Sequence, residues 1–298
     1  MRDDVLIREV LAKCEVLKQV GFWPSEPIIR PKAWINNFDL EDRGAAAYLL
    51  DRFTFYNEQL TNELLVASYN SMVDGLRKGS SAMGSVEILK SLQQAVFTYV
   101  TGEKPAPTDS GYTFCRKARQ KLEIPEELIC HPEDAVKYAS SGRTVVFLDD
   151  FIGSGDQFLR TWQRNYGQSD PKSFMTINKS VPFAAIYISL VTTSYGLGEI
   201  SKIAPNVAVC TAHILNERST VFSPDIPSSK QEEIEQLLEK YHTRLTPRES
   251  YIAGDKINLK YGYKKRGLML GFQHSIPDST LPIFWSQGTD WEPLIERI

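Results

Sequence analysis

The sequence has few of the residues that build metal centres or covalent cross-links. Its 298 residues include only four cysteines and four histidines. The cysteines form no C-x-x-C pair, which argues against a structural zinc site and against a disulfide framework. We therefore expect reduced, buried thiols, as is typical of a cytoplasmic protein. The cysteines are Cys14, Cys115, Cys130 and Cys210.

Long hydrophobic runs and a large excess of one charge are also missing. No apolar stretch approaches the roughly 18 residues that span a bilayer. Charged residues interrupt the first ten positions, which excludes the apolar region of a signal peptide. The formal net charge of −3 gives no overall attraction to nucleic acid or to an anionic membrane. The sequence therefore predicts a soluble, cytoplasmic protein that holds any anionic ligand in a local site.

Residues 1–104 lack the alternation of polar and apolar residues that half-buried strands show. Apolar residues recur there at three- and four-residue steps, which predicts amphipathic helices. A segment rich in proline and glycine at 101–107 marks a natural boundary. We expect an all-helical N-terminal region over residues 1–104, with apolar surface that could hold a partner protein or a second copy. The apolar stripes run over residues 5–20, 46–56, 60–76 and 86–100.

Strand and helix patterns alternate in residues 105–298. Short apolar runs without polar residues predict strands buried on both faces of a parallel sheet. Their alternation with helices favours an α/β fold with a doubly wound, mainly parallel sheet. The last fifty residues, rich in glycine, proline and aromatics, predict irregular strands and loops. The expected strands cover 144–148, 184–191 and 207–213, and the expected helices cover 112–122, 156–166, 197–203 and 229–242.

The clearest functional signal is a strand–loop–helix segment from Thr144 to Gln157. Gly153 and Gly155 let the backbone turn several N–H groups toward one point. The helix that follows adds unpaired N–H groups and the positive end of its dipole. Ser154 adds a hydroxyl donor. Such a loop at the carboxyl end of a strand predicts a phosphate site.

Two acids, Asp149 and Asp150, come directly before this loop. Neighbours on a strand point to opposite faces, so we expect the two carboxylates to have different roles. One is expected to accept hydrogen bonds from the vicinal hydroxyls of a ribose. The other would cap backbone amides or reach a metal through water. The alternative is that both acids cap a turn that holds no ligand.

Three other loop families do not fit this segment. A phosphate-binding loop of the Walker type requires a Gly-Lys pair, and the sequence contains none. A dinucleotide site requires G-x-G-x-x-G, and only Gly-Ser-Gly is present. A receiver domain carries its acid pair near the start of the fold, whereas this pair lies at mid-chain.

Residues 145–157 resemble the ribose-phosphate fingerprint of type I phosphoribosyltransferases, in which four apolar residues, two acids and a Thr-Thr-Gly-type loop follow one another. The resemblance implies that residues 105–298 are a phosphoribosyltransferase-like domain with a C-terminal strand and loop extension. It implies that Asp149 and Asp150 bind the ribose, take part in catalysis and give access to Mg2+. The phosphate-binding residues that it implies are Gly153, Ser154, Gly155, Asp156 and Gln157.

The fingerprint departs from the family at two places. Gly153 stands where some members carry a catalytic acid and others a threonine. Asp156 and Gln157 stand where most members carry a small residue and a threonine. Because a carboxylate facing a phosphate is repulsive, Asp156 must point away, be bridged by a cation, or signal a changed ligand. Ordinary phosphoribosyl transfer is therefore only one of the reactions to consider.

Two further segments look like the family's other binding loops. The turn at 108–111 and the basic helix after it are similar to the pyrophosphate loop, with a simple helix cap as the alternative. The strand after 184 and its following helix are similar to the elements that frame the base. Candidates on the pyrophosphate side are Ser110, Gly111 and Arg116. Candidates on the base side are Thr192, Thr193, Ser194, Tyr195 and, from the C-terminal tail, His274.

Most of the chain resembles a narrower group, the phosphoribosyltransferase-like proteins of bacterial conflict (anti-phage) gene clusters. The similarity lies in the wording of 147–157, in Trp34 with Phe38, in the turn at 109–111 and in the tail 271–285. It implies a role in defence. Two functions stay open: an enzyme acting at the anomeric carbon of a phosphorylated ribose or nucleotide with Mg2+, or an inactive nucleotide sensor that regulates a partner protein.

Overall fold

The chain forms two compact units. The computed structural model describes residues 2–79, 90–102, 110–167, 172–246, 251–252 and 255–296. One unit combines Met1–Gln59 with Asn216–Ile298, and the other is Leu60–Leu215. None of the helices in the described ranges has the length and apolar character required to cross a membrane.

The helices and strands are numbered here in chain order over the described residues. The helices are α1 (Arg2–Gln19), α2 (Pro31–Asn36), α3 (Arg43–Asp51), α4 (Glu58–Asn70), α5 (Met72–Gly79), α6 (Ser110–Leu122), α7 (Pro132–Ser140), α8 (Asp156–Gln163), α9 (Phe174–Ser180), α10 (Ser194–Ile203) and α11 (Ser228–Tyr241). The strands are β1 (Thr54–Tyr56), β2 (Val96–Tyr99), β3 (Val145–Ile152), β4 (Ala185–Thr193), β5 (Val207–Leu215), β6 (Leu245–Thr246), β7 (Tyr251–Ile252), β8 (Asp255–Lys256), β9 (Leu270–Phe272) and β10 (Gln287–Gly288).

The first unit is built from both ends of the chain. Strand β1 pairs in parallel with β9, so that Phe55 lies opposite Gly271. Trp34 of α2 is fully buried, donates its ring N–H to the carbonyl of Ile283 at 2.7 Å and stacks on Phe284 at 5.1 Å. Helices α1, α3 and α11 complete the same apolar core. The apolar faces of α1, α2 and α3 are therefore buried in one core with residues after position 216.

The second unit contains the four-stranded parallel sheet β2-β3-β4-β5. Strands β2, β3 and β4 are almost entirely buried, as a sheet covered on both faces requires, whereas the edge strand β5 is buried only at Val207, Cys210 and Leu215. Helices α7, α8 and α9 pack on one face around Phe147 and Tyr187. On the other face, Gly75 of α5 lies so close to Cys210 that a Cβ would meet its sulfur at 2.7 Å. The expected α/β class with a mainly parallel sheet is confirmed.

The winding of this sheet differs from the expectation. Its strand order follows the chain without a reversal in the four described strands, whereas a doubly wound sheet reverses direction. Right-handed crossovers that all progress in one direction cover one face only. The second face is covered by helices that precede the sheet, with Tyr69 of α4 stacked on Phe97 and Gly75 of α5 against Cys210, and α6 also packs on β2 and β3.

The N-terminal region is mostly helical but also supplies strands. Tyr56, placed on a helical stripe from the sequence, lies in β1. The stripe at 86–100 falls partly outside the described residues, and its described end forms β2, an edge strand of the sheet. The segment Val-Phe-Thr-Tyr is β-branched and aromatic, and pairing with β3 decides its state. The compact units therefore differ from the division expected at residue 104.

Several element boundaries also moved. The strand expected to end at Leu148 continues to Ile152 because β4 pairs with it along its length. The helix expected to reach Tyr166 ends at Gln163. The last fifty residues form short strands and single helical turns, as expected. All four cysteines are unpaired, and Cys130 is the one that is only half-buried.

Candidate functional site

Strand β3 carries both acids inside the sheet rather than beyond its end. Asp149 lies opposite Ser189 of β4. The two acids are 2% and 5% exposed, respectively. A buried carboxylate requires hydrogen-bond donors or a counter-charge. The partners of this acid pair therefore define what the site can do.

Both oxygens of Asp149 accept hydrogen bonds from the protein. The backbone N–H of Asp150 donates to Oδ1 at 3.0 Å, and the Tyr187 hydroxyl donates to Oδ2 at 2.8 Å. Burial raises the pKa of Asp149 well above its ordinary value, and the Asp150 carboxylate raises this pKa further. The hydrogen bond from Tyr187 lowers this pKa without offsetting burial. Burial, followed by the negative charge of Asp149, likewise raises the pKa of Tyr187. Asp149 is therefore the acid that caps a backbone amide.

Tyr187 was missed in the sequence, although one signal for it was present. It stands in the middle of the apolar strand β4, where a buried hydroxyl requires a partner. Its ring stacks on Phe158 of α8, with centroids 4.2 Å apart and planes 13° apart. Phe158 lies three residues after Gly155. Tyr187 therefore contacts both the acid pair and the helix that begins at the small-residue loop.

The loop itself turns tightly between β3 and α8. Gly155 is the N-cap of α8 and has a left-handed backbone with φ +83°. The Ser154 hydroxyl accepts from the N–H of Asp156 at 3.3 Å. Within the described part of the chain, no hydrogen bond uses the backbone N–H of Ser154 or that of Gly155. Ser154 and Gly155 are buried, Gly153 and Asp156 are half-buried and Gln157 is exposed.

The start of α10 holds this loop in place. Thr193 accepts the N–H of Gly196 at 2.9 Å, which caps α10, and its hydroxyl also donates to the carbonyl of Gly153. Gly155 lies against this turn, since an added Cβ would be 3.1 Å from both the Gly196 carbonyl and Ile200. Thr193 was expected on the base side, and its hydroxyl contacts the loop at 153–155.

The other base-side candidates lie around the same end of β4. The Thr192 hydroxyl is buried and donates to Thr211 of β5 at 3.0 Å. The Ser194 hydroxyl donates to the carbonyl of Leu215 at 2.9 Å. Tyr195 is 37% exposed. The hydroxyls of Thr192 and Ser194 thus tie β4 to β5, and Tyr195 is the member of this group with a solvent-accessible ring.

The candidate pyrophosphate residues lie at the end of the neighbouring strand β2. Helix α6 begins at Ser110, and a Cβ on Gly111 would meet the Val100 carbonyl at 2.6 Å. Arg116 is exposed on the same helix. The residues at 108 and 109 fall outside the described ranges. Because β2 and β3 are adjacent and parallel, the start of α6 and the loop at 153–155 share one edge of the sheet.

Arg164 is a second residue that the sequence did not reveal. It follows α8 and donates to the hydroxyl of Thr101 at 2.5 Å and to the carbonyl of Gly102 at 2.8 Å. The Thr161 hydroxyl accepts the N–H of Thr101 at 3.1 Å. The end of α8 is thereby tied to the chain leaving β2. Nothing in the local sequence distinguishes this arginine from a solvated one.

His274 lies in the unit built from the two chain ends, beside Phe272 at a ring distance of 5.3 Å. The remaining site candidates belong to the sheet unit. The structure therefore does not bring His274 together with them inside one compact unit.

A parallel sheet, a buried acid pair and a small-residue loop at the carboxyl end of a strand agree with the resemblance to phosphoribosyltransferase-like proteins. A family model described as PRTase-CE matches residues 31–297, and the chain belongs to this family. Comparison with curated proteins gives no match. Among solved structures, the AQ2163 protein from Aquifex aeolicus aligns at 14% identity over 64% of this chain and 86% of that one, with a TM-score of 0.31. That similarity is too weak to carry an argument.

Proposed function

We propose that the chain binds a 5′-phosphorylated ribose, free or within a nucleotide, at the carboxyl end of β3 and acts at its anomeric carbon. The reaction would be glycosyl transfer or cleavage of an N-glycosidic bond. The observation that carries this proposal is the pair of N–H groups of Ser154 and Gly155 at the start of α8, next to two buried acids. Such N–H groups favour phosphate. Membership of the PRTase-CE family supports ribose as the attached group.

The two acids have different roles in this proposal. Asp149 already accepts two hydrogen bonds from the protein. We assign the ribose hydroxyls to Asp150, which is one residue closer to the loop at 153–155 and whose carboxyl also hydrogen-bonds with that of Asp149. A hydrogen bond from a hydroxyl to a carboxylate is stronger than one between two neutral groups. In this arrangement Asp149 fixes the backbone of Asp150, and Asp150 contacts the ligand.

The donor set fits Mg2+. Magnesium prefers oxygen ligands and is usually held by one or two carboxylates together with phosphates of the substrate. Asp150 would hold the ion from the protein side, and the ligand and water would complete its shell. When bound, Mg2+ would neutralise charge on the phosphates. The exposed cluster of Asp39, Glu41 and Asp42 is a poorer metal site, because the Lys240 ammonium lies 2.7 Å from Asp39 and from Asp42.

Chemistry at the anomeric carbon passes through a state with oxocarbenium character. The chain would hold the 5′-phosphate in the loop and the ribose against Asp150, which fixes the sugar relative to the leaving group. The negative charge of Asp150 would stabilise positive charge that develops on the ring. Residues at the end of β4, with Tyr195 as the accessible ring, are the candidates for contact with the base.

The test compares binding with turnover. Phosphoribosyl pyrophosphate and a panel of nucleotides are titrated into the protein by calorimetry with and without Mg2+, and released base or pyrophosphate is measured by chromatography. Asp150→Asn should abolish release and weaken binding. Asp134→Asn is the matched control, since Asp134 is an acid on the surface of α7 paired with Lys137. Equal binding and turnover by wild type and Asp150→Asn would contradict the proposal.

The second candidate is a catalytically inactive module that senses a nucleotide and regulates a partner protein. Gly153 favours it, because this position carries a catalytic acid in some phosphoribosyltransferases. A sensor would bind nucleotide with the same dependence on Gly155 and Asp150 but release no product. A nucleotide recovered intact from the purified protein after long incubation would favour this function over the enzyme.

The proposed setting is bacterial anti-phage defence, which rests on the resemblance to conflict-system proteins alone. Cells expressing the wild-type chain in its natural gene cluster should resist phage, and cells expressing Gly155→Val should not. Equal resistance of the two strains would show that the loop at 153–155 is not required for defence.

A further inference from the structure

Tyr187 is placed to connect the two halves of the proposed site. Its hydroxyl donates to Asp149 at 2.8 Å, and its ring stacks on Phe158 at 4.2 Å. Asp149 belongs to the acid pair, and Phe158 lies in the first turn of the helix that begins at the phosphate loop. Tyr187 is fully buried in the central strand β4. A rigid ring held on both sides therefore fixes the acids relative to the loop.

Two hydrogen bonds connect Tyr187 to Asp150 through Asp149. Asp149 is held by Tyr187 through one oxygen and accepts the N–H of Asp150 through the other. Without the tyrosine hydroxyl, Oδ2 of Asp149 would be buried without this donor, and its carboxylate would rotate toward another partner. The backbone N–H of Asp150 would then lose this acceptor, whereas the contact of the Asp150 carbonyl with the Ser189 hydroxyl would remain. The ribose half of the site depends on this chain of contacts.

The phosphate half depends on different contacts. The position of the loop is set by the left-handed Gly155, by Thr193 and by the close approach of α10. None of these contacts involves the hydroxyl of Tyr187. Removing that hydroxyl should therefore affect the two halves of one ligand differently.

We propose that Tyr187 is a positioning residue that commits Asp149 to the protein and thereby presents Asp150 to the ribose. This inference rests on the proposed function and specifies how its acid pair is organised. In this arrangement Asp149 forms hydrogen bonds within the protein, and Asp150 contacts the ligand. Ribose binding, but not phosphate binding, then depends on a phenol hydroxyl.

The experiment measures two probes on the full chain, ribose 5-phosphate and inorganic phosphate, both with Mg2+. Tyr187→Phe keeps the stacked ring and removes the hydroxyl. It should weaken the binding of ribose 5-phosphate by about tenfold, the effect of one lost hydrogen bond. The affinity for inorganic phosphate should stay within about twofold of the wild type. Asp149→Asn should give the same selective loss, and the double variant should lose no more than either single one. Tyr166→Phe is the control, because it removes a hydroxyl bonded to the Thr161 carbonyl on the same side of the sheet.

The outcomes separate this inference from the proposed function. Equal loss of both probes in Tyr187→Phe would show a purely structural role and overturn the inference, as would no loss of either. Additive losses in the double variant would overturn it as well. If the wild type binds neither probe, the proposed function fails too. Should Tyr187→Phe fail to fold, the double variant, in which no carboxyl is left buried without the tyrosine donor, gives the same comparison of the two probes.

Discussion

At the residue scale, the conformation of the loop at 153–155 favours glycine at position 155. Gly155 has φ +83°, a region that side chains with a Cβ rarely adopt. It also touches the Gly196 carbonyl and Ile200, so that a side chain has no room. Gly196 is equally tight, since its Cβ would meet the Gly153 carbonyl at 2.8 Å. The loop and the start of α10 are therefore two glycine-lined surfaces in contact.

Gly155→Val should abolish phosphate binding and destabilise the protein. The left-handed backbone alone costs about 1–2 kcal/mol for a residue with a Cβ, and the contact with α10 adds to this. Gly198→Ala is the matched control, because no atom lies within 4 Å of its added Cβ and helix propensity improves. The measurements are thermal unfolding with and without phosphate. Retained stabilisation by phosphate in Gly155→Val would contradict the assignment of the loop.

The cysteines should be inert in the folded protein. Burial raises the pKa of Cys14 and of Cys210 to about 11. Because the thiolate is the reactive form, alkylation at pH 8 should be slow in the native protein and fast in urea. The rate should rise with pH toward that value as thiolate forms. Mass spectrometry after timed labelling measures it, and fast native labelling of Cys14 would be inconsistent with this burial.

At the element scale, α10 begins where the loop needs support. Its N-cap Thr193 satisfies the N–H of Gly196 and contacts the Gly153 carbonyl with the same hydroxyl. One side chain therefore caps a helix and holds the neighbouring loop. The two functions of this hydroxyl link the end of β4 to the loop at the end of β3.

Thr193→Val should cost about 1–2 kcal/mol of stability, the usual effect of a lost N-cap, and should also weaken phosphate binding. Valine keeps the shape of threonine and removes the hydroxyl. Thr193→Ser keeps the hydroxyl and should retain both properties. Chemical denaturation and phosphate titration of the three proteins make the comparison. If the valine variant lost stability but bound phosphate normally, Thr193 would be a helix cap only.

At the scale of the whole molecule, the two ends of the chain share one core. Trp34 of α2 is 0% exposed and packs against the turn that contains Ile283 and Phe284. Helix α11 joins this core through Tyr241, whose hydroxyl donates to Asp42 at 2.8 Å. The stability of the N-terminal helices therefore depends on the C-terminal segment.

Trp34→Ala should lower stability by about 3–5 kcal/mol, as removal of a large buried aromatic does. Trp34→Phe keeps part of the stacking on Phe284 but leaves the Ile283 carbonyl without its donor, so its loss should be smaller. Urea denaturation, monitored by circular dichroism, ranks the wild type and the two variants by their free energy of unfolding. Equal midpoints for wild type and Trp34→Ala would show that this core does not stabilise the chain.

Local features could be predicted from the amino-acid sequence. The apolar strands, the glycine loop, the acid pair and the helix after it follow from side-chain chemistry within about fifteen residues. Periodicity and turn residues report such short-range structure directly. These features were sufficient for the α/β class and for the phosphate-loop prediction, and the resemblance that they carry led to the family.

Which elements pack together could not be predicted from local patterns and became clear from the folded structure. The short β-branched segment that forms β2 fits a helical stripe or a strand, and pairing with β3 selects the strand. The stripes on α1 and α3 show a buried face but not that residues after 216 cover it. Tyr187 and Asp149 are 38 positions apart, and the parallel register of β3 and β4 brings them together. Pairing and packing join residues that are distant in sequence, and a local pattern contains no information about the distant partner.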